Sequence, residues 1–184
     1  RELNVYCEIL NLKEFGKIKN FEDIKGIILS GGPATVNKKK YPTIPKNIFE
    51  KKIPILGICY GLQLLSKVFG GIIKKSQKKR EFGEALLLEK SKSTLFKKVF
   101  INKKTRVWMS HQDAVYKIPK GFKNIASTSN SKYTAIQNKN KKIYGIQFHP
   151  EVTHTKKGSQ IIKNFVLNIC KIKKNWMIGV EKKR

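Results

Sequence analysis

A chain of 184 residues, 40% hydrophobic and 28% charged, is long enough for one domain with a buried core, and no apolar run approaches the ~18 residues of a membrane span. Three widely spaced cysteines, Cys7, Cys59 and Cys170, form no C-x-x-C pair, which argues against a disulfide framework and a zinc site and leaves the cytoplasm as the expected address. The net charge of +28 would attract polyanions, but only four of the 40 basic residues are Arg and the lysines are spread along the whole chain, so the charge reads as a solvated surface, with no specific nucleic-acid or membrane partner.

In chain order, residues 5–10 and 26–29 are β-rich, and residues 53–59 run into a helical pattern over 61–69. Such alternation predicts βα units around a mainly parallel sheet. The unbroken apolar runs Ile27-Ile28-Leu29 and Ile55-Leu56 suit central strands covered on both faces. Between residues 84 and 138, the β-rich pieces 85–88, 106–110 and 133–137 alternate with turn residues and predict antiparallel additions to that sheet. Behind Gly158-Ser159, the residues Ile161, Ile162, Phe165, Val166 and Ile169 recur at helical spacing and predict a final amphipathic helix. From Lys171 the pattern fades into a basic tail that reads as a linker, so the expected domain is 1–170 and the linker 171–184.

The sharpest local signal is Pro54-Ile55-Leu56-Gly57-Ile58-Cys59-Tyr60-Gly61-Leu62-Gln63, an apolar strand meeting a helix through Gly-x-Cys-x-Gly. This is the thiol form of a nucleophile elbow, in which flanking glycines let strand and helix approach and the central residue projects above the strand tip. The start of the helix and a neighbouring imidazolium would both favour thiolate. Cys7, on a predicted strand, and Cys170, on an apolar helix face, read instead as buried structural residues.

Ninety positions later, Tyr144-Gly145-Ile146-Gln147-Phe148-His149-Pro150-Glu151 is a second apolar strand that ends in a His-Pro-Glu step. A residue before proline is pushed toward extended backbone, where residues i and i+2 share a face. His149 and Glu151 therefore supply base and orienter of a triad from one short segment. The same residues with His154 make a poor metal set, because a zinc deaminase would need a downstream Pro-Cys-x-x-Cys, so no metal is expected. The third piece is Ser30-Gly31-Gly32-Pro33, a glycine turn after a central strand. There the Gly32 N–H, with the N–H of Tyr60, can face the oxygen of a tetrahedral intermediate.

Taken together, these segments resemble the class I (triad) glutamine amidotransferases over nearly the whole chain and in that family's order. The resemblance implies a flavodoxin-like three-layer α/β domain with a central, mostly parallel sheet plus antiparallel additions. It also implies Cys59 as nucleophile, His149 as general acid and base, Glu151 as its partner, and Gln63 with the backbone of Ser110, His111, Gln112 and Asp113 as the holders of glutamine. Glu151-Val152-Thr153-His154-Thr155, Arg80-Glu81-Phe82-Gly83 and Val107-Trp108-Met109-Ser110-His111-Gln112-Asp113 are most similar to the GMP synthase subfamily. The alternatives are the anthranilate and aminodeoxychorismate types, or a catalytically silent basic binding module. Gln112 departs from the glycine expected there. His111 and His154 have no triad role and are expected in an interdomain or surface hydrogen bond. On this resemblance the domain itself uses no metal or cofactor, whereas ATP and Mg²⁺ act in an ATP pyrophosphatase domain of the full-length chain. Any homodimer would form through C-terminal regions. A first strand and most of a first helix are expected before residue 1, and Asn175-Trp176-Met177 looks like the joint to the partner domain.

Overall fold

In a computed structural model the described residues are 2–75 and 81–174; Arg1, Arg80 and the Asn175-Trp176-Met177 segment lie outside them. The apolar runs at Ile27–Leu29 and Ile55–Ile58 form β1 and β2, which pair in parallel with Ile27 opposite Ile55. All four β2 residues are buried, as expected of a strand covered on both faces. The remaining strands are β3 (Ile72–Lys75), β4 (Glu81–Glu89), β5 (Lys104–His111), β6 (Asp113–Lys117), β7 (Lys123–Ser127), β8 (Ala135–Asn138) and β9 (Ile143–Ile146). Among the described residues the main sheet has seven strands in the order β1-β2-β9-β8-β7-β4-β5, and β3 pairs with β6 in a small separate sheet.

The α/β architecture expected from the sequence forms, but the main sheet is mixed rather than mostly parallel, with two parallel pairings against four antiparallel ones among the described residues. Its parallel part is β1, β2 and β9, and the strands beyond β9 are all added antiparallel. Helix α2 (Tyr60–Val68) lies on one face, where Leu62 and Leu65 join Ile55 and Ile143 in a core. Helix α3 (Gly158–Lys163) lies on the other, where Ile161 joins Leu56, Ile146 and Phe148. These three layers place the tips of β2 and β9 side by side. Gly145 makes the contact with α2 close, since a Cβ there would stand 2.4 Å from Leu62 Cδ1.

One expectation is corrected. Residues 5–10 form no strand, and all but Val5 are exposed, so their β propensity is not matched by the burial that a sheet face would give them. The chain instead enters α1 (Leu12–Phe15), whose capping box is built by Asn11, accepting from Lys13 N at 2.9 Å and Glu14 N at 3.0 Å, and by the Glu14 carboxylate. The last helix is not α-helical throughout, since it widens into a π-helical stretch over Asn164–Ile169. There buried Asn164 donates to Leu95 O at 2.9 Å and Lys97 O at 2.8 Å, while Phe165 and Ile169 stay in the core with Ile161.

Candidate active site

β2 ends one residue before Cys59, whose own N–H donates to Ile146 O at 2.8 Å and so extends the β2–β9 ladder to the sulfur-bearing residue. Cys59 has φ 51° and ψ −103°, a conformation that costs a non-glycine residue ~1–3 kcal/mol and persists only where the surroundings enforce it. The glycine bracket does the enforcing. A Cβ on Gly57 would stand 2.5 Å from the Gly61 carbonyl carbon, and one on Gly61 would stand 2.3 Å from Leu29 O. Both glycines are thus required by the close crossing of α2 over β1 and β2.

The Cys59 side chain is buried: its S–H donates to Ser110 O at 3.6 Å, and Gln147 Nε2 donates to the sulfur at 3.6 Å. The ring of His149 flanks the same space, for a Cβ on Gly31 would lie 2.9 Å from His149 Cε1 and 3.4 Å from Cys59 Cβ. His149 Nδ1 lies 2.7 Å from Glu151 Oε1, which leaves Nε2 as the nitrogen for proton transfer. Its proton affinity is raised from 6.5 to about 9, first by the Cys59 side chain and then by Glu151, against the opposing effect of burial. The backbone is clamped as well. His149 N donates to Trp108 O at 3.1 Å, and Thr155 Oγ1 accepts from Trp108 N at 3.0 Å while donating to His149 O at 2.5 Å.

The amide N–H groups of Gly32 and Tyr60 have no hydrogen-bond partner among the described residues. Gly32 borders open space, with nothing within 4 Å of where a Cβ would be. Gln63 is buried, and its Nε2 donates to Asp113 O at 2.8 Å, so this side chain braces the 110–113 turn. The Asp113 carboxylate accepts in turn from Thr35 Oγ1, which ties the turn to the loop following β1. Ser110 and Gln112 are exposed. Gln112 has no positive φ, so the backbone there tolerates a side chain without strain.

His111 differs from the interdomain or surface hydrogen bond expected of it. It is buried, with Nδ1 3.0 Å from Asp113 O and Nε2 3.0 Å from Glu81 Oε2, and Thr128 Oγ1 donates to Glu81 Oε1 at 2.9 Å. The cause is register: His111 and Glu81 stand directly opposite each other on β5 and β4. His154 is exposed and its ring packs on Trp108 at 4.4 Å between centroids. Cys7 is exposed, against expectation. Cys170 is half-buried against Gly26, and burial pushes its thiol up to about 12. Among the described residues no group of three His, Cys, Asp or Glu is arranged to hold a metal ion, and no helix is long and apolar enough to cross a membrane.

Sequence reasoning missed Gln147 and Glu81. Gln147 carried a signal, since it precedes His149 by two positions in the segment that bears the site. Glu81 needed the β4–β5 register, which no local pattern gives.

A cysteine on a strained strand-to-helix turn, beside an imidazole held by a carboxylate, defines the elbow-nucleophile class of α/β proteins. Within that class the chain belongs to the family described as Glutamine amidotransferase class-I, whose profile matches residues 1–169. It is 48% identical over 180 residues to a protein of Brachyspira hyodysenteriae named GMP synthase [glutamine-hydrolyzing], covering 97% of this chain and 34% of that one. The identity is 51% over 178 residues to the protein of that name from Thermosipho melanesiensis, covering 96% and 34%. The chain therefore spans about a third of the length of these relatives. The crystal structure of a GMP synthase subunit protein from Thermoplasma acidophilum superposes with a TM-score of 0.70 at 31% identity, covering 82% of this chain and 75% of that one.

Proposed function

We propose that residues 1–170 are the glutaminase domain of a GMP synthase, releasing ammonia from glutamine, and that residues 171–184 lead toward an ATP- and Mg²⁺-dependent synthetase domain that aminates XMP to GMP in the cytoplasm. The observation that carries this reading is the meeting of Cys59 with the His149–Glu151 pair over the glycine-bracketed elbow. The names borne by the relatives support the choice of synthase.

In the reaction the Cys59 sulfur, its proton already held on the His149 ring, attacks the side-chain amide carbon of glutamine as the thiolate. The oxygen becomes an oxyanion held by the free N–H groups of Gly32 and Tyr60. As the tetrahedral intermediate collapses, the C–N bond breaks and His149 returns the proton to the departing nitrogen, giving ammonia and a thioester. Water, deprotonated by His149, then attacks the thioester carbon. The C–S bond breaks, glutamate leaves and the thiol is restored. Glu151 holds the ring and steadies its positive charge in both halves.

The test is treatment of the intact protein with a chloroketone analogue of glutamine, followed by peptide mass spectrometry. Labelling is expected at Cys59, and labelling elsewhere defeats the assignment. Cys59→Ala should abolish glutamine use yet leave GMP formation from added ammonium, and loss of both would contradict the division of labour.

A further inference from the structure

Gln147 is fully buried, directly after β9, with its backbone N–H fixed to Thr134 O at 2.8 Å. Among the described residues its side chain makes one hydrogen bond, from Nε2 to Cys59 Sγ at 3.6 Å, and its Oε1 has no partner. A buried amide with an unpaired carbonyl is costly, and a Met or Leu of similar volume would avoid that cost. The polar group at this position is therefore not explained by stability. The orientation of the amide follows from the other contact of the sulfur. The sulfur also meets the His149 ring, which takes its proton, so the thiolate needs donors, and a flipped amide would offer only another acceptor beside Ser110 O.

We propose that Gln147 is a catalytic residue of this site, its amide N–H hydrogen-bonding the Cys59 sulfur and favouring thiolate over thiol. The inference rests on the reading of Cys59 as the nucleophile. Ser110 O works against ionisation, because a carbonyl accepts from a thiol and repels a thiolate. Gln147 supplies the opposing donor, and hydrogen bonds to a charged acceptor are the stronger kind. It acts twice in each turnover: when the sulfur first becomes anionic, and again when the thioester breaks and sulfur departs as thiolate.

The test is the pH dependence of Cys59 alkylation by iodoacetamide in the intact protein, followed at the Cys59 peptide so that Cys7 and Cys170 do not interfere. Gln147→Met should alkylate about tenfold more slowly near neutral pH, with its midpoint raised by about one unit and its melting temperature equal to or above that of the parent. Gln147→Glu keeps the shape but replaces the donor with an acceptor, and its midpoint should rise further. A parent-like midpoint in either folded variant overturns the proposal. Because iodoacetamide needs no glutamine chemistry, this result is independent of the chloroketone experiment. Failure of the chloroketone to label Cys59 would break the glutaminase reading, while the shifted midpoints would still establish the hydrogen bond.

Discussion

His149 Nδ1 and Glu151 Oε1 stand 2.7 Å apart across a single proline, with the Glu151 side chain 54% exposed and the ring 19% exposed. The carboxylate orients the ring from the solvent side, so its removal leaves the fold untouched but frees the ring to rotate. Glu151→Gln, in which the amide oxygen still accepts from Nδ1–H, should lower kcat for glutamine by about tenfold. Glu151→Ala should lower it by ~10²-fold, within the range of general acid–base effects. KM and melting temperature should stay near the parent values. A steady-state glutaminase assay checks this, and equal activity in all three proteins would remove Glu151 from the mechanism.

The raised proton affinity of His149 has a defined pH window. The folded ring holds its proton up to about 9, above the ordinary 6.5 of the unfolded chain. Its stabilising contribution is thus fully present below 6.5 and is lost as pH climbs through 9. The gap in melting temperature between the parent and His149→Asn should narrow across this interval. In Cys59→Ala, which removes the largest influence holding the proton, the narrowing should begin at lower pH. Glutamine turnover should also fall above about 9 as the imidazolium, the proposed proton donor to the departing nitrogen, disappears. A gap independent of pH would refute the coupling of ring and sulfur.

The sequence made the tips of two strands legible because their chemistry is local. Gly57, Cys59 and Gly61 announce a close strand–helix crossing, and His149-Pro150-Glu151 announces a ring with a neighbour on the same side. The 110–113 turn was legible only as a segment. That Asp113 O collects donors from both Gln63 and His111 depends on the bend at Gln112 that carries β5 of the main sheet into β6 of the small one, and β6 has no strong alternation of its own. The run at 5–10 failed for the converse reason, since its local propensity is β but the run stays exposed beyond Val5, and strand propensity counts for little without burial. The widened turn at Asn164 was equally hidden, because it is set by two carbonyls some seventy residues away.

The buried His111–Glu81 contact carries its own prediction. Both ring nitrogens face oxygen atoms, and the backbone carbonyl of Asp113 is only an acceptor, so Nδ1 carries a proton. Nε2 must then share a second proton with Glu81. A glutamine at 81 can donate to a neutral Nε2 and still accept from Thr128, so Glu81→Gln should keep the fold and most of the activity. Glu81→Leu leaves the ring unpaired and should cost ~1–3 kcal/mol in urea unfolding. Loosening of the Asp113 turn should raise the KM for glutamine more than it lowers kcat. Equal stability of the two variants would show that the pair holds nothing.

Three glycines near the sulfur should separate stability from chemistry. Alanine at Gly61 drives its methyl to 2.3 Å from Leu29 O, a backbone atom that cannot swing aside, so α2 must lift from β1. Gly61→Ala should cost at least ~1–3 kcal/mol, the range for overpacking, and lower the melting temperature together with activity. At Gly31 the methyl meets His149 Cε1 at 2.9 Å, the edge of a ring that can turn. Gly31→Ala should therefore melt close to the parent while turning over glutamine at a small fraction of its rate, because the ring is pushed off the sulfur. At Gly32 a methyl meets nothing within 4 Å, and Gly32→Ala should be neutral to stability and change activity least of the three. Differential scanning calorimetry beside the glutaminase assay measures both axes. A Gly31→Ala protein with full activity would mean that the ring and the sulfur do not act together.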